Sequence, residues 1–397
     1  MKSFFKGLLI IILVILALAG AALFWFSYRK FVNEKQAEKE EEAAYYKEIA
    51  GKETDWILSL MQDNGAVLLY ESDKEGEGSI NPYFACEAMI GVISDKEKEH
   101  VEAAGKYLKW HTEALLEEDG IISDYKIEDG EFISKGKSDS FDSYAAEYLL
   151  LLAKYIEADG DLNVIGDWEK AVTILSDRFE EVSKHGVTYT SSEYRAAYLM
   201  DNTEVWNAVT EFGRVLSEDE EFKDDEDMKK LSNKYLKLGN KIGDSIENKF
   251  WLPDDEFYTI ALTKDGDIYG SPDLNEFYPD AIAQLYPAMM EVRPIGEREQ
   301  DLYQKVCDHH SWEYDDIAET TFYWTEMSYA AVIHGDFERM DTYLDTYNDI
   351  VEESRKYPLH TASAGWIIRA CNKRADIIMA EENTDLVNYI KWLKGEK

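Results

Sequence analysis

Hydrophobic and polar positions alternate between two helical patterns along this chain. In the first, an apolar stripe recurs at three- and four-residue spacing and charges cover the other side. Residues 96–117 carry Val101, Ala104, Leu108, Leu115 and Leu116 in this way, and residues 167–182 carry Trp168, Ala171, Ile174, Leu175 and Phe179. Residues 227–248 carry Met228, Leu231, Tyr235, Leu238, Ile242 and Ile246. Each pattern predicts a surface helix that buries one stripe. Residues 297–309, 336–353 and 385–393 read the same way, and a first helix runs through Trp56, Ile57, Leu60 and Met61. The second pattern is apolar on nearly every side. Residues 138–161, SDSFDSYAAEYLLLLAKYIEADGD, show it most clearly. Such a helix must be buried all round, and this one is too short, and too interrupted by Glu147 and Lys154, to cross a bilayer. Residues 81–92, 202–216, 278–292, 320–334 and 361–371 repeat the pattern.

Six inner and about six outer helices in alternation predict an all-α ring of helical hairpins, an (α/α)6 toroid, because each hairpin needs neighbours to bury its inner face. An open helical solenoid is the competing arrangement, but such arrays hold a fixed period and the repeats here vary in length. The connections that lead from outer to inner helices are long. Segments such as EDGIISDYKIEDGEFIS, KHGVTYT and DDEFYTIALTKDGDIYG join a turn signal to alternating residues, which predicts short β-hairpins. The return turns, ADGD and HGDF, are tight. The decorated loops therefore gather on the face where inner helices begin, and a site is expected there.

The amino-terminal end breaks this rhythm. Residues 7–28, GLLIIILVILALAGAALFWFSY, are uncharged and long enough to span a membrane as a helix, with Trp25 and Tyr28 where an interfacial belt would lie. The domain reading is a cytoplasmic tail (residues 1–6), a transmembrane signal anchor (7–28), a charged helical stalk (29–52) and a toroid (53–397). Lys2 and Lys6 precede the span and Arg29, Lys30 and Lys35 follow it, so flanking charge leaves orientation open. The expected topology is single-pass in the cell membrane with the bulk of the chain extracytoplasmic. A cleaved signal peptide and the opposite orientation are the alternatives.

Composition narrows the partners. The formal net charge of -39 excludes a basic surface for nucleic acid or anionic lipid. The three cysteines are an odd number and read as buried thiols, with one disulfide as the alternative. The load of 10 Trp and 26 Tyr suits cores and carbohydrate-stacking clefts alike. No phosphate-binding, dinucleotide-binding or nucleophile-elbow motif occurs. Cys307, Asp308, His309 and His310 fit no zinc spacing, so no metal or cofactor is expected.

At the decorated face the chain sets INPYF, SDSFDS, MDNTEVW, EFYPD, ETTFYWTE and HTASAGW. Carboxylates interleaved with Tyr and Trp suit glycan chemistry, in which aromatic faces stack on sugar rings and a pair of carboxyls flanks the scissile bond. The catalytic candidates are Asp142, Asp201 and Asp280, with Asp139 and Glu204 beside them. Asp142 and Asp280 open apolar helices in matching contexts, and Asp201 and Glu204 sit three apart at one helix entry. Capping is the structural alternative for these acids. The substrate-binding candidates are Asn81, Tyr83, Asn202, Trp206, Tyr278, Tyr323, Trp324 and Trp366, for which core packing is the alternative. His360, Ser363, Thr321 and Glu326 lie in the same clusters.

Over residues 53–397 the hairpin ring, together with FDSYAAEYLLLLAKYIEADGD, MDNTEVW and FYPDAIAQLYP, resembles the six-hairpin glycosidase superfamily. No motif singles out one hydrolase family within it. The resemblance implies a carbohydrate-active protein, foremost a glycoside hydrolase that cleaves a polysaccharide or oligosaccharide. A non-catalytic glycan-binding or polysaccharide-assembly factor, or a helical scaffold for protein partners, would use the same frame.

Overall fold

The structure is a computed structural model and describes residues 2–74, 76–314, 323–382 and 384–395. The chain forms two compact units, one of residues Ala50–Ala370 and one of Met1–Ile49 with Cys371–Lys397.

The larger unit alternates outer and inner helices as the polarity pattern predicts. The last turns of α1 (Lys2–Ser59) are outer and α2 (Pro82–Ile93) is inner. The pairs α3 (Lys98–Glu117) with α4 (Phe141–Glu157), and α5 (Trp168–Val182) with α6 (Leu199–Glu218), follow. In the fourth pair α7 (Glu226–Ser245) is outer, and the inner partner is a wide turn at Phe277–Ala281 followed by α8 (Tyr286–Met289). The last pairs are α9 (Glu297–His309) with α10 (Glu326–His334), and α11 (Phe337–Glu353) with α12 (Thr361–Ala380). Nearly every residue of α4 is buried, including Asp142 and Glu147, whereas α7 buries a stripe from Met228 to Ser245. Caps set the starts. The Asn81 side chain accepts from the Phe84 backbone amide at 3.0 Å with Pro82 in the first helical position, and Asp225 and Asp336 cap α7 and α11.

The sequence predicts one regular helix over residues 278–292, and here the structure differs. Tyr278 holds a non-helical conformation (φ -116, ψ 129), and Pro279 and Pro287 bring no amide to an intrahelical ladder, so the segment breaks into turns.

The first and last inner helices meet with their backbones in contact. A Cβ on Gly91 would lie 2.5 Å from the Gly365 carbonyl oxygen, and a Cβ on Gly365 would lie 2.7 Å from Ala88 Cα. The Thr361 amide donates to Leu69 O at 2.9 Å, and Glu53 receives Tyr347 Oη and both terminal nitrogens of Arg355. These contacts close the toroid and rule out the open solenoid.

Strands decorate the outer-to-inner loops. β1 (Gly78–Ile80), β2 (Tyr125–Glu128) and β3 (Glu131–Ser134) form one antiparallel sheet. Its tight turn falls at Asp129 and Gly130, both with positive φ (52 and 81), as the Asp-Gly signal demands. Further short strands pair around His185–Gly186, across residues 251–258, and between residues 197–198 and 261–262.

The smaller unit holds the amino-terminal part of α1, the end of α12, and α13 (Leu386–Lys394). α1 is long and apolar enough to cross a membrane, and its most apolar window is bare of protein cover. The sequence places residues 385–393 among the outer helices. Instead α13 packs on α1: the Tyr389 ring lies 5.5, 5.2 and 5.5 Å from those of Phe24, Tyr28 and Phe31. Trp392 donates to Glu34 Oε2 at 2.9 Å. The charged stretch after residue 28 is also less solvated than its composition suggests, with Phe31, Ala43, Tyr46 and Ile49 buried at near-helical spacing.

Candidate active site

A cavity of about 1080 Å³ opens where the inner helices begin, lined by all six outer-to-inner connections. Asn81, Tyr83, Asp139, Asp201, Glu204, Tyr278, Tyr323 and Trp324 all line it. The same caps and turns that start the helices aim these side chains. The broken segment around Tyr278 leaves its ring more than half exposed, stacked on Trp324 at 5.1 Å and 29°. Offset aromatic rings of this kind offer a flat apolar wall with polar edges. His360 forms another part of the wall, stacked on Phe84 at 4.4 Å, and burial pushes its pKa down to about 4, so the ring is neutral near pH 7.

Two carboxyl groups share a hydroxyl at the cavity edge. Ser140 Oγ lies 2.6 Å from Asp142 Oδ1 and 3.0 Å from Asp201 Oδ2. One hydroxyl proton cannot serve both contacts, so one carboxyl of the pair must supply a proton. The electrostatics agree. Burial raises the pKa of both acids, and the Asp142 charge raises that of Asp201 further, while Ser140 works the other way. Asp142 is fully buried and reaches the cavity only through Ser140. Asp139, one residue before Ser140, is exposed and lines the opening.

One turn beyond Asp201 on α6, Glu204 faces the same space. Tyr83 Oη donates to its Oε1 at 2.8 Å. Burial raises the Glu204 pKa well above the usual range, and the carboxylates of Glu147, Asp201 and Glu87 add to this. A protonated acid held by a phenol at the edge of a cavity is a proton donor at neutral pH.

Beneath lies an acidic cluster of which the sequence singles out Glu204 and Glu326 but not Glu87 or Glu147. Glu87 of α2, Glu147 of α4 and Glu326 of α10 join Glu204 there, and Glu87 and Glu326 line the cavity. Burial pushes Glu147 and Glu326 up to about 7, with Arg369 of α12 pulling both down. Glu87 is raised well above the usual range by burial and by Glu147 and Glu326. Among the described residues, Glu147 Oε2 and Glu326 Oε2 have no hydrogen-bond partner. The Arg369 guanidinium sits 3.7 Å from the Trp366 ring centroid, and Trp366 Nε1 donates to Glu87 Oε1 at 3.0 Å. The signal in the sequence is a single Glu inside an otherwise apolar helical run, Glu87 in PYFACEAMIGV and Glu147 in YAAEYLLLL.

Other singled-out residues lie away from the cavity. Asp280 accepts from the Asp273 backbone amide at 2.7 Å and serves the local turn. Asn202 is fully buried and binds the Thr188 and Tyr198 backbone. Trp206 packs toward Gly243 of α7, and Trp366 lies below the cavity at 1% exposure. Thr321 falls outside the described residues. Cys86, Cys307 and Cys371 are buried, and none forms a disulfide among the described residues. His309 Nδ1 and His310 Nε2 each meet a backbone carbonyl, of Lys305 and Leu274. No group of three or more potential metal ligands gathers among the described residues.

No protein-family model matches the chain. No curated protein sequence matches it. Solved structures do. A wild-type glycosidase matches with 12% identity over 84% of this chain and 98% of its own, at a TM-score of 0.55. A glycosidase variant in complex with glucose matches with 12% identity over 85% and 98%, at 0.54. A cold-adapted family 8 xylanase matches with 9% identity over 82% and 91%, at 0.50. At such identities the likeness shows the fold, a helical toroid shared with glycosidases over most of the chain.

Proposed function

We propose that this chain is a membrane-anchored glycoside hydrolase whose site is the toroid cavity. The observation that carries the reading is that one cavity is lined by a buried, phenol-bound acid, Glu204, by the exposed carboxyl of Asp139 and by the stacked rings of Tyr278 and Trp324. Glu204 gives its proton to the glycosidic oxygen as the bond from that oxygen to the anomeric carbon breaks. Asp139 takes a proton from the water that forms the new bond to that carbon. Asp201, sharing the Ser140 hydroxyl with Asp142 and lining the same cavity, binds a sugar hydroxyl. Tyr278 and Trp324 stack on the ring faces. The glucose held by one neighbour and the xylanase name of another support a pyranose polymer as substrate.

Residues 7–28 form the anchor, which the long uncharged helix supports, and the toroid is assigned to the extracytoplasmic side. Protease added to intact cells should remove the toroid, and its survival there would reverse the orientation. For the activity, full-length protein in detergent is incubated with a panel of bacterial and plant polysaccharides. New reducing ends and oligosaccharide masses are followed, with Glu204→Gln as control. Products formed by both proteins alike would overturn the assignment of Glu204. Glycan retardation in a gel with no product would replace the hydrolase by a glycan-binding protein.

A further inference from the structure

The end of the chain turns the usual order of a surface helix inside out. α13 beds its aromatic side against α1, with Tyr389 only 3% exposed, and shows its aliphatic side. Leu386, Val387, Ile390 and Leu393 are 58, 63, 44 and 56% exposed. Residues 386, 390 and 393 follow the spacing of one helix face, and Val387 flanks it. A short soluble helix gains nothing from four bare aliphatic side chains on one side, so a cover is implied.

Its position names that cover. The rings beneath α13 belong to Phe24 and Tyr28, in the last turns of the uncharged run 7–28. Tyr28 Oη also donates to the Thr384 carbonyl at 2.6 Å, just before α13 begins. If that run crosses a bilayer, α13 lies at the boundary between acyl chains and headgroups. The side chains there are of the kind that boundary favours: Trp25, Tyr28, Tyr389 and Trp392. Lys30 sits 5.9 Å over the Trp392 ring, and Lys391 and Lys394 lie in the last turn of α13. In a chain of net charge -39, Lys30, Lys391 and Lys394 gather at this corner beside Glu34, which pairs with Lys30 at 3.5 Å, and the capping Asp385, so cations able to meet lipid phosphate lie at the boundary.

We propose that α13 is a second membrane contact, an interfacial helix whose face of Leu386, Val387, Ile390 and Leu393 enters the bilayer beside the anchor. Lys391 and Lys394 reach headgroup phosphates. This rests on the reading of residues 7–28 as a membrane span. With the span it gives two attachments to one membrane and restrains the swing and rotation of everything joined to them.

The test uses full-length protein in vesicles of phosphatidylcholine and phosphatidylglycerol. An environment-sensitive fluorophore is attached in turn at Ile390→Cys, Leu16→Cys and Asp177→Cys, the native thiols being buried. Asp177 is a control because its side chain is 65% exposed on α5. Nitroxide lipids carry the quencher either near the headgroup or near the chain end. The label at 390 should lose most of its emission to the shallow quencher, that at 16 to the deep one, and that at 177 to neither. Quenching at 16 but not at 390 would overturn the interfacial helix and leave the anchor standing. No quenching at 16 would overturn the anchor reading and this proposal with it. A blue-shifted label at 390 that no lipid quencher reaches would show the face covered by protein, which also overturns the proposal.

Discussion

Tyr83 donates its phenolic proton to Glu204 Oε1 at 2.8 Å, tying the first turn of α2 to the first turns of α6 across the cavity. Burial raises the Glu204 pKa, and this hydrogen bond lowers it. Tyr83→Phe therefore lets that pKa climb further. The limb of the pH–rate profile on which the acid loses its proton should move to higher pH, by up to about one unit, with a stability loss of about 1 kcal/mol. A limb that stays put, or moves down, would contradict the role of Glu204 as proton donor.

Glu204→Gln and Asp139→Asn should each lower kcat by roughly a hundredfold or more while the melting temperature of the Asp139 variant stays unchanged, since its carboxyl is exposed. Asp280→Asn offers the contrast. Its carboxyl serves a turn, so turnover should remain within a few-fold of the parent. Equal losses at all three positions would point to a structural cause.

The buried cluster makes stability depend on pH. Glu147 is raised from 4.5 to about 7 by burial, so the folded state holds its proton more tightly than the unfolded chain does. That contribution is complete below about pH 4.5 and is lost as pH rises toward 7. The loss from this group approaches about 3 kcal/mol, the pull of Arg369 being already contained in the value of about 7. Glu147→Gln removes the titration, so urea midpoints at pH 5 and pH 8 should lie closer together in the variant than in the parent. At pH 8 the variant should be the more stable of the two.

On the aromatic wall, Tyr278 is 56% exposed and leans on Trp324. Tyr278→Ala should raise KM roughly fivefold, through loss of about 1 kcal/mol of stacking, and change kcat little. A change confined to kcat would place Tyr278 among the groups that act on the reacting atoms.

The alternation of all-round apolar helices with striped ones carried the ring in the sequence, because burial on every side and burial on one side leave different periodicities. The loop hairpins were legible through Asp129–Gly130 for the same local reason. The cavity's aromatic and acidic rim was legible from Asp139, Asp201, Glu204, Tyr83 and Trp324. Its floor was not. Glu87 and Glu147 stand alone within apolar runs, where a single charge reads as an interruption, and their partner Arg369 lies on a helix far along the chain. Asp142 and Asp280 share a local context, yet Asp142 turns under Ser140 and Asp280 turns toward Asp273, a difference set by tertiary neighbours. The place of α13 was also hidden, since an amphipathic pattern does not say which of its sides meets protein.

Where α2 meets α12, side chains are missing by design of the sequence. Gly365→Ala would set a methyl 2.7 Å from both Ala88 Cα and Glu87 O, atoms of a backbone that has little room to yield. It should destabilise the toroid by about 1–3 kcal/mol or more, read as a lower urea midpoint. A neutral result would mean that α12 can slide outward, and the distance from Trp366 to Glu87 would then lengthen.

That seam also sets a timetable. Glu87 and Trp366 are 279 residues apart, and their bond forms across the closing helices. During synthesis α2, α4 and α6 leave the ribosome long before α12 exists, with apolar flanks that only the finished circle hides. The site cannot mature piecemeal, because its floor is built from both ends of the ring. A chain stopped short of residue 361 is therefore not a weakened version of this protein. It is an unclosed arc with its core facing water, a form that aggregates or is degraded.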